Sequence, residues 1–418
     1  MTAGNMMASG IFMLPVSLAA FGSISLLGWL ISTSGALLLA VVFSNLSRWI
    51  PGADGGPYAF TREALGPFAG FLVAWSYWLS IWSTNAAISV AFVSYLGVLI
   101  PAINGNVPLS LAIAVSAVWF LTWINAKGVP VAGTVQLLTT ILKIIPLVLI
   151  GVIGIWAVDS SNFKEFNVSG LGDFGAVTAT ATLTLFAFLG IEAATIPAGS
   201  IDRPEINVPK ATLYGAILVA AVYILSSVAI MGLIPQDELM RSDAPFSDAA
   251  GRLFGESGRY IVAAGAAIST FGALNGWILV QGQMPAAAAA DRVLPAWFGK
   301  KNLRGVPAGS LISSSVLITG LLIINFSGKL SDVFESIILL STTTVLIGYL
   351  LSTTSCILLS YKFSPDGLGR KLLIAASIGG FLFSLWAMAG AGTEAFYWGM
   401  LSVLAGIPFY ALRRRRTN

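Results

Sequence analysis

The sequence predicts an all-α integral membrane protein of about twelve membrane-spanning helices. Three observations carry that prediction. The 418 residues are 56% hydrophobic and only 10% charged, a ratio no soluble core requires, and the mean hydropathy is +0.87. Apolar runs such as Leu26 to Phe43, Ile144 to Ala157, Leu213 to Leu233 and Leu311 to Ile324 approach the ~20 residues that cross a hydrocarbon layer of ~30 Å. Basic residues gather in alternate connecting loops, as the positive-inside rule requires.

In chain order, the segments fall near 5–20; 25–48, closed by Arg48; 66–100, after the loop that holds Arg62; 108–125, closed by Lys127; and 131–157, before the polar stretch Asp159 to Asp173. They continue at 175–199, closed by Arg203; 209–234, before the polar stretch Gln236 to Arg259; 258–285, closed by Arg292, Lys300, Lys301 and Arg304; and 307–326, closed by Lys329. The last three are 333–361, ending at Lys362; 370–390; and 394–412, ahead of Arg413 to Arg416. Runs shorter than a full span extend their ends into flanking Ser, Thr and Gly.

With a cytoplasmic N-terminus, sixteen of the 22 Lys and Arg residues fall on the inside and five, Lys164, Arg241, Arg252, Arg259 and Lys329, on the outside; Lys143 is the remaining one. That bias puts both termini in the cytoplasm, in an integral multi-pass protein of the cytoplasmic (inner or plasma) membrane. The run Arg413 to Arg416 beside an apolar helix reads as a positive-inside anchor next to lipid, with no nucleic acid implied.

Other signals exclude. The single Cys356 removes disulfide frameworks and cysteine metal clusters. The absence of histidine removes imidazole ligands, Ser/His triads and imidazole proton relays. There is no Gly-Lys-Ser/Thr phosphate loop, no cleavable signal pattern and no low-complexity tract. No cofactor and no metal site are expected, and nothing points to an enzyme.

Two stretches interrupt otherwise long apolar segments: Gly4-Asn5-Met6-Met7-Ala8-Ser9-Gly10 and Phe186-Ala187-Phe188-Leu189-Gly190-Ile191-Glu192. A helix broken in mid-bilayer leaves backbone N–H and C=O groups unpaired, which is tolerated only where a cavity or ligand meets them. The breaks therefore announce a solute site. Only two charged side chains sit deep in the segments, Glu192 and Lys143, and charges at that depth default to function. Glu192 follows the second break, between Gly190 and Pro197, and reads as a proton carrier or as a glutamate bonded to a neighbouring helix. Lys143, in Thr139-Thr140-Ile141-Leu142-Lys143-Ile144-Ile145-Pro146, reads as a cation bracing the first broken helix, as a proton-coupling group, or as a snorkelling side chain.

Together, several motifs resemble the amino acid, polyamine and organocation transporters, and within them the basic amino-acid/polyamine antiporters. These are Gly4 to Pro15; Gly55-Gly56-Pro57-Tyr58-Ala59-Phe60; Phe188-Leu189-Gly190-Ile191-Glu192-Ala193; Arg203-Pro204-Glu205-Ile206-Asn207-Val208-Pro209-Lys210; and Gly276-Trp277. The likeness spans essentially the whole chain and is strongest to bacterial arginine/agmatine and putrescine exchangers.

The resemblance implies one transporter domain over 1–418, with a LeuT-type 5+5 inverted repeat (about 1–157 and 173–361), discontinuous helices one and six, and extra helices at about 370–412. It implies an α-amino acid held by amides of Ser9 and Gly10 and the Ser9 hydroxyl, beside Asn5 and Ala8, with carbonyls of Met6, Phe186 and Leu189 on its amine. The side-chain pocket would comprise Ser80, Ile81, Asn85, Ile88, Trp277 and Ser341. Tyr77, Glu192 and Tyr349 would gate it, and Tyr58 matches a cytoplasmic-loop aromatic. A homodimer is implied too. Read without the family, Ser9-Gly10 also suits close helix packing, Trp277 an interfacial anchor, and Asn85 an interhelical bond.

Three departures qualify the match. Few residues precede the first break, so the inner half of helix one is expected to be missing. Phe186 stands where the arginine/agmatine exchangers carry a tryptophan, and offers cations a weaker π-face. Lys143 has no counterpart in those exchangers but resembles the lysine of proton-coupled relatives. The expected function is exchange of an amino acid against a related amine; the alternative is symport of a neutral amino acid with protons through Lys143. A channel or receptor would need pore rings or a soluble signalling domain.

Overall fold

Inside a membrane a backbone can satisfy its own polar groups only as helix or closed barrel, and the regular elements of the described residues are helices. The computed structural model describes residues 2–52, 54–128, 147–196, 198–326 and 329–414. Among these there is no β-strand, only an isolated bridge between Lys301 and Pro307.

The first break separates α1 (Thr2–Met6) from α2 (Gly10–Ala19). Then follow α3 (Ser25–Trp49), α4 (Pro57–Leu65), α5 (Pro67–Leu99), α6 (Val107–Asn125) and α7, described over Leu147–Ala157. The second half comprises α8 (Asp173–Ala187), α9 (Pro204–Leu233), the short α10 (Gln236–Leu239) and α11 (Pro245–Ala290). After them come α12 (Ala308–Asn325), α13 (Leu330–Phe363), α14 (Leu368–Gly390), α15 (Thr393–Leu404) and α16 (Ile407–Arg414).

Local chemistry sets these ends. Proline occupies the first turn of α4, α5, α9 and α11, where its missing N–H is no loss. The Asn106 side chain accepts from the Leu109 N–H at 3.1 Å and starts α6. Gly255, at φ 71°, bends α11 near its beginning, a conformation that suits glycine alone.

Eight described helices, α3, α5, α6, α9, α11, α12, α13 and α14, are long and apolar enough to cross a membrane. The four other expected segments each have a reason to fall short. The first and sixth are shortened by their breaks, and the fifth lies mostly outside the described residues. The twelfth is corrected: 394–412 is two helices, divided at Ala405 and Gly406.

α5 runs between α11 and α13, α3 packs on α8 and α9, and α14 covers α3, α8 and α13. Close approach depends on small residues, as it does where lipid removes the hydrophobic drive. A Cβ built on Gly28 of α3 would lie 2.7 Å from the Thr180 Cβ of α8. The outward faces of α6, α12 and α14 expose Trp119, Phe120, Trp123, Ile312, Val316, Ile323, Leu382 and Leu385, an apolar surface suited to lipid. Gly28→Val should overpack the α3–α8 contact by roughly 1–3 kcal/mol. A lower thermal unfolding midpoint in detergent would bear this out; an unchanged midpoint would count against that packing.

Candidate functional site

The two breaks lie against each other. α2 begins at Gly10 without a side-chain cap, so its first amides, at Gly10 and Ile11, have no acceptor within the helix and sit at its positive end. The Ser9 hydroxyl beside them is buried and makes no hydrogen bond. A Cβ built on Gly10 would lie 2.9 Å from the Cα of Ala187, so the first turn of α2 is seated on the last turn of α8. Past that turn, Phe188 N–H donates to the Leu185 carbonyl (2.9 Å) and Leu189 N–H to that of Phe186 (3.1 Å). The chain then turns back through Gly190, at φ 103°. A Cβ there would stand 3.3 Å from Asn5 Cβ, Met6 N and the Trp277 ring. Glycine thus lets the second break rest on the first.

Side chains from other helices fasten the breaks. The Tyr223 hydroxyl of α9 lies 2.5 Å from the Met6 carbonyl and 3.1 Å from that of Ala187. Trp277 donates its indole N–H to the Asn5 carbonyl at 3.0 Å. The Met6 carbonyl also accepts from Ala8 N–H at 2.6 Å, so both of its lone pairs are engaged within the protein. The Phe186 ring meets Phe334 of α13 edge-on, centroids 5.8 Å apart.

Glu192 is fully buried. One carboxylate oxygen accepts from the Tyr77 hydroxyl of α5 and the other from the Tyr349 hydroxyl of α13, the latter at 2.7 Å. Its main-chain carbonyl takes the Thr195 hydroxyl at 2.6 Å. The expected gate residues therefore form one unit spanning three elements. A turn further along α5, Ser341 of α13 meets Ser80 at 3.0 Å and Thr84 at 2.7 Å. Asn85 donates to Gln281 of α11 at 2.6 Å, and Ile81 and Ile88 are buried along the same helix. Asn5, Met6, Ala8, Ser9, Gly10, Phe186, Leu189 and Trp277 gather at the breaks.

Of the two remaining expected residues, Lys143 falls outside the described residues and Tyr58 lies away from the breaks. Tyr58 of α4 donates to Asp291 at 2.8 Å, and Arg62 reaches the same carboxylate oxygen at 2.5 Å. The α3–α4 loop here also grips the chain after the second break: Gly55 N–H donates to the Ile196 carbonyl (2.9 Å) and Gly199 N–H to Asp54 (3.0 Å). Burial, then the hydrogen bond to Asp291, holds the Tyr58 phenol above its ordinary value of 10.0. A cavity of about 1230 Å³ opens beside this latch, lined by Asp54, Arg62, Asn125, Lys127 and Asp291 among others, and by none of the residues at the breaks.

Sequence reasoning missed Tyr223, Thr84 and Gln281. Tyr223 and Gln281 are polar groups inside apolar spans, a costly placement that itself asks for a partner. Thr84 gives no comparable signal, because threonine is ordinary in membrane helices.

The sequence pattern described as amino acid permease matches residues 1–391. The cadaverine/lysine antiporter of Escherichia coli (strain K12) is 30% identical over 415 residues, covering 98% of this chain and 92% of that protein. The putrescine transporter PotE of Haemophilus influenzae is 31% identical over 412 residues, 98% of this chain and 94% of that protein. The protein of the same name from Escherichia coli (strain K12) is 29% identical over 413 residues, with coverages of 99% and 94%.

Tyr349→Phe removes one of the two phenols on a buried carboxylate, and should lower stability in detergent by about 1.5–3 kcal/mol; equal unfolding midpoints would show that Tyr77 alone suffices. Tyr58→Phe should cost about 0.5–1.5 kcal/mol. Because the phenol titrates higher when folded, its contribution is complete below its ordinary value, fades as pH rises above that value and is lost once pH passes the folded one. The difference between wild type and Tyr58→Phe should therefore be the same at pH 6 and pH 9. A difference that shrinks from pH 6 to pH 9 would overturn that assignment.

Proposed function

The chain belongs to the amino acid permease family, and we propose that it is a secondary active antiporter, exchanging an amino acid against a related amine by alternating access. One observation carries this reading: two helix breaks meet in a buried place, with amides and the unpartnered Ser9 hydroxyl on one side and the turn at Gly190 on the other. Helix-start amides suit a carboxylate, and carbonyls at a helix end suit an ammonium.

In this reading Ser9 and Gly10 take the substrate carboxylate, with Asn5 and Ala8 alongside. Leu189 supplies a carbonyl for the α-amine and Phe186 lines the site, since the Met6 carbonyl is committed to Tyr223 and Ala8 and the Phe186 carbonyl to the N–H groups of Phe188 and Leu189. Ser80, Ile81, Asn85, Ile88, Trp277 and Ser341 surround the side chain, and Glu192 with Tyr77 and Tyr349 forms the gate. The relatives are named for cadaverine, lysine and putrescine, which favours a substrate with a primary ammonium at its far end. The name of the first, an antiporter, also favours exchange over proton symport, the alternative that rests on Lys143.

The architecture we infer is twelve spans in two inverted repeats, about 1–157 and 173–361, followed by helices at about 370–412, with both termini in the cytoplasm. Support comes from the way helices pair: α2 packs on α8, α3 on α9, α5 on α11 and α6 on α12. Each partner is the corresponding element of the other repeat. Exchange itself makes and breaks no covalent bond; the protein binds, encloses and releases.

The full chain in liposomes tests the reading. Labelled lysine or cadaverine should enter vesicles preloaded with either compound and stay out of empty ones. Uptake into empty vesicles driven by an inward proton gradient would replace exchange with symport.

A further inference from the structure

Gln281 is fully buried on α11, one helical turn beyond Trp277, and the reading above leaves it without a task. Its Oε1 accepts from Asn85 Nδ2 at 2.6 Å. Its Nε2 donates to the Ser315 hydroxyl at 3.1 Å and towards the Leu311 carbonyl at 3.4 Å, both on α12. The far end of this chain decides its direction. A backbone carbonyl only accepts, so the Gln281 amide must turn its nitrogen to Leu311 and its oxygen to α5. The Ser315 hydroxyl fits the same sense, lying 2.9 Å from that carbonyl as a donor and so accepting from Nε2.

Facing an oxygen, Asn85 has to offer its nitrogen, and its own oxygen is turned away. That atom, Asn85 Oδ1, is buried and has no hydrogen-bond partner. A dry, unmet amide oxygen is costly unless a ligand meets it. It stands on the α5 face that carries Tyr77, Ile81, Thr84 and Ile88, next to the α11 turn that holds Trp277. An ammonium has donors only, so it can use an oxygen there and would be repelled by an amide nitrogen.

We propose that Gln281 is a positioning residue: it locks the Asn85 amide with its oxygen towards the substrate, so that the site selects a primary ammonium at the far end of the bound molecule. The inference rests on the amine-exchange reading given above. Without the lock, the Asn85 amide is free to rotate and presents its nitrogen part of the time.

The test is exchange by the full chain in liposomes, with labelled lysine and cadaverine as substrates and norleucine, which matches lysine in length without the ammonium, as competitor. Gln281→Met keeps the volume and removes the lock. Its KM for lysine and cadaverine should rise about tenfold, the scale of one hydrogen bond to a charged group, with the maximal rate within about twofold and competition by norleucine unchanged. Gln281→Glu keeps an acceptor oxygen for Asn85 Nδ2 whether its carboxyl is protonated or ionised, so its KM for lysine should stay within about threefold of wild type. An unchanged KM in Gln281→Met, an equal loss for lysine and norleucine, or a loss in Gln281→Glu as large as that in Gln281→Met each overturns the inference while leaving amine exchange intact. A wild-type protein that exchanges neither lysine nor cadaverine overturns both.

Discussion

Everything about this structure answers one constraint: a peptide group freed from a helix inside hydrocarbon must find another partner. The chain frees such groups twice, at Met7 to Ser9 and again after Ala187, and brings the two places together. Tyr223 can serve carbonyls of both breaks from one hydroxyl, and the Trp277 indole takes a third carbonyl at Asn5. Neither α2 nor α8 packs as a continuous rod. The long helices, α3, α5, α9, α13 and α11 beyond its bend at Gly255, therefore serve as the frame that holds two short pieces in register, and close contact at Gly10 and Gly190 leaves that frame little slack.

The polar groups of the frame follow helical spacing. On α5, Tyr77, Ile81, Thr84, Asn85 and Ile88 fall on one stripe of a 3.6-residue helix, and the polar groups they meet are Glu192 after the second break, Ser341 of α13 and Gln281 of α11. Glu192 shares two phenols, and Ser341 shares two hydroxyls. Such groups are arranged as a connected set because an isolated polar atom at this depth is expensive, whereas a connected one rigidifies the core. Ser9 Oγ and Asn85 Oδ1 are among the buried atoms that the set does not satisfy.

Much of this was legible in the sequence, for physical reasons that differ by residue. Both breaks could be read because glycine and small polar residues interrupt apolar runs that would otherwise span. Glu192 could be read because a carboxylate at bilayer depth is too costly to be incidental. Span ends were legible where a charge or proline closed them. The division of 394–412 at Gly406 was not, because a single glycine in an apolar run is compatible with an unbroken helix. Tyr223 and Gln281 were hidden differently: their cost was visible, but the partner that repays it lies on another helix, 217 residues away for Tyr223 and Met6. Side-chain direction around a helix also decides that Met6 gives its carbonyl to Tyr223, a point that motif matching by position cannot supply.

Alternating access asks for unequal strengths, and the chemistry is distributed that way. At the centre, Glu192 and its phenols are sealed from water, so separating them would bare a buried carboxylate. At the α3–α4 end, the Arg62–Asp291 pair is formed by side chains 40% and 41% exposed. Pairs that wet contribute about 0–1 kcal/mol, and the accompanying bond from Gly199 N–H to the Asp54 side chain is exposed as well. An equilibrium between closed and open forms stays usable by a ligand only when the gap is a few kcal/mol. The latch falls in that range. The α3–α4 end is then the one free to open while the two breaks keep their register, the division of labour that the proposed alternating access requires.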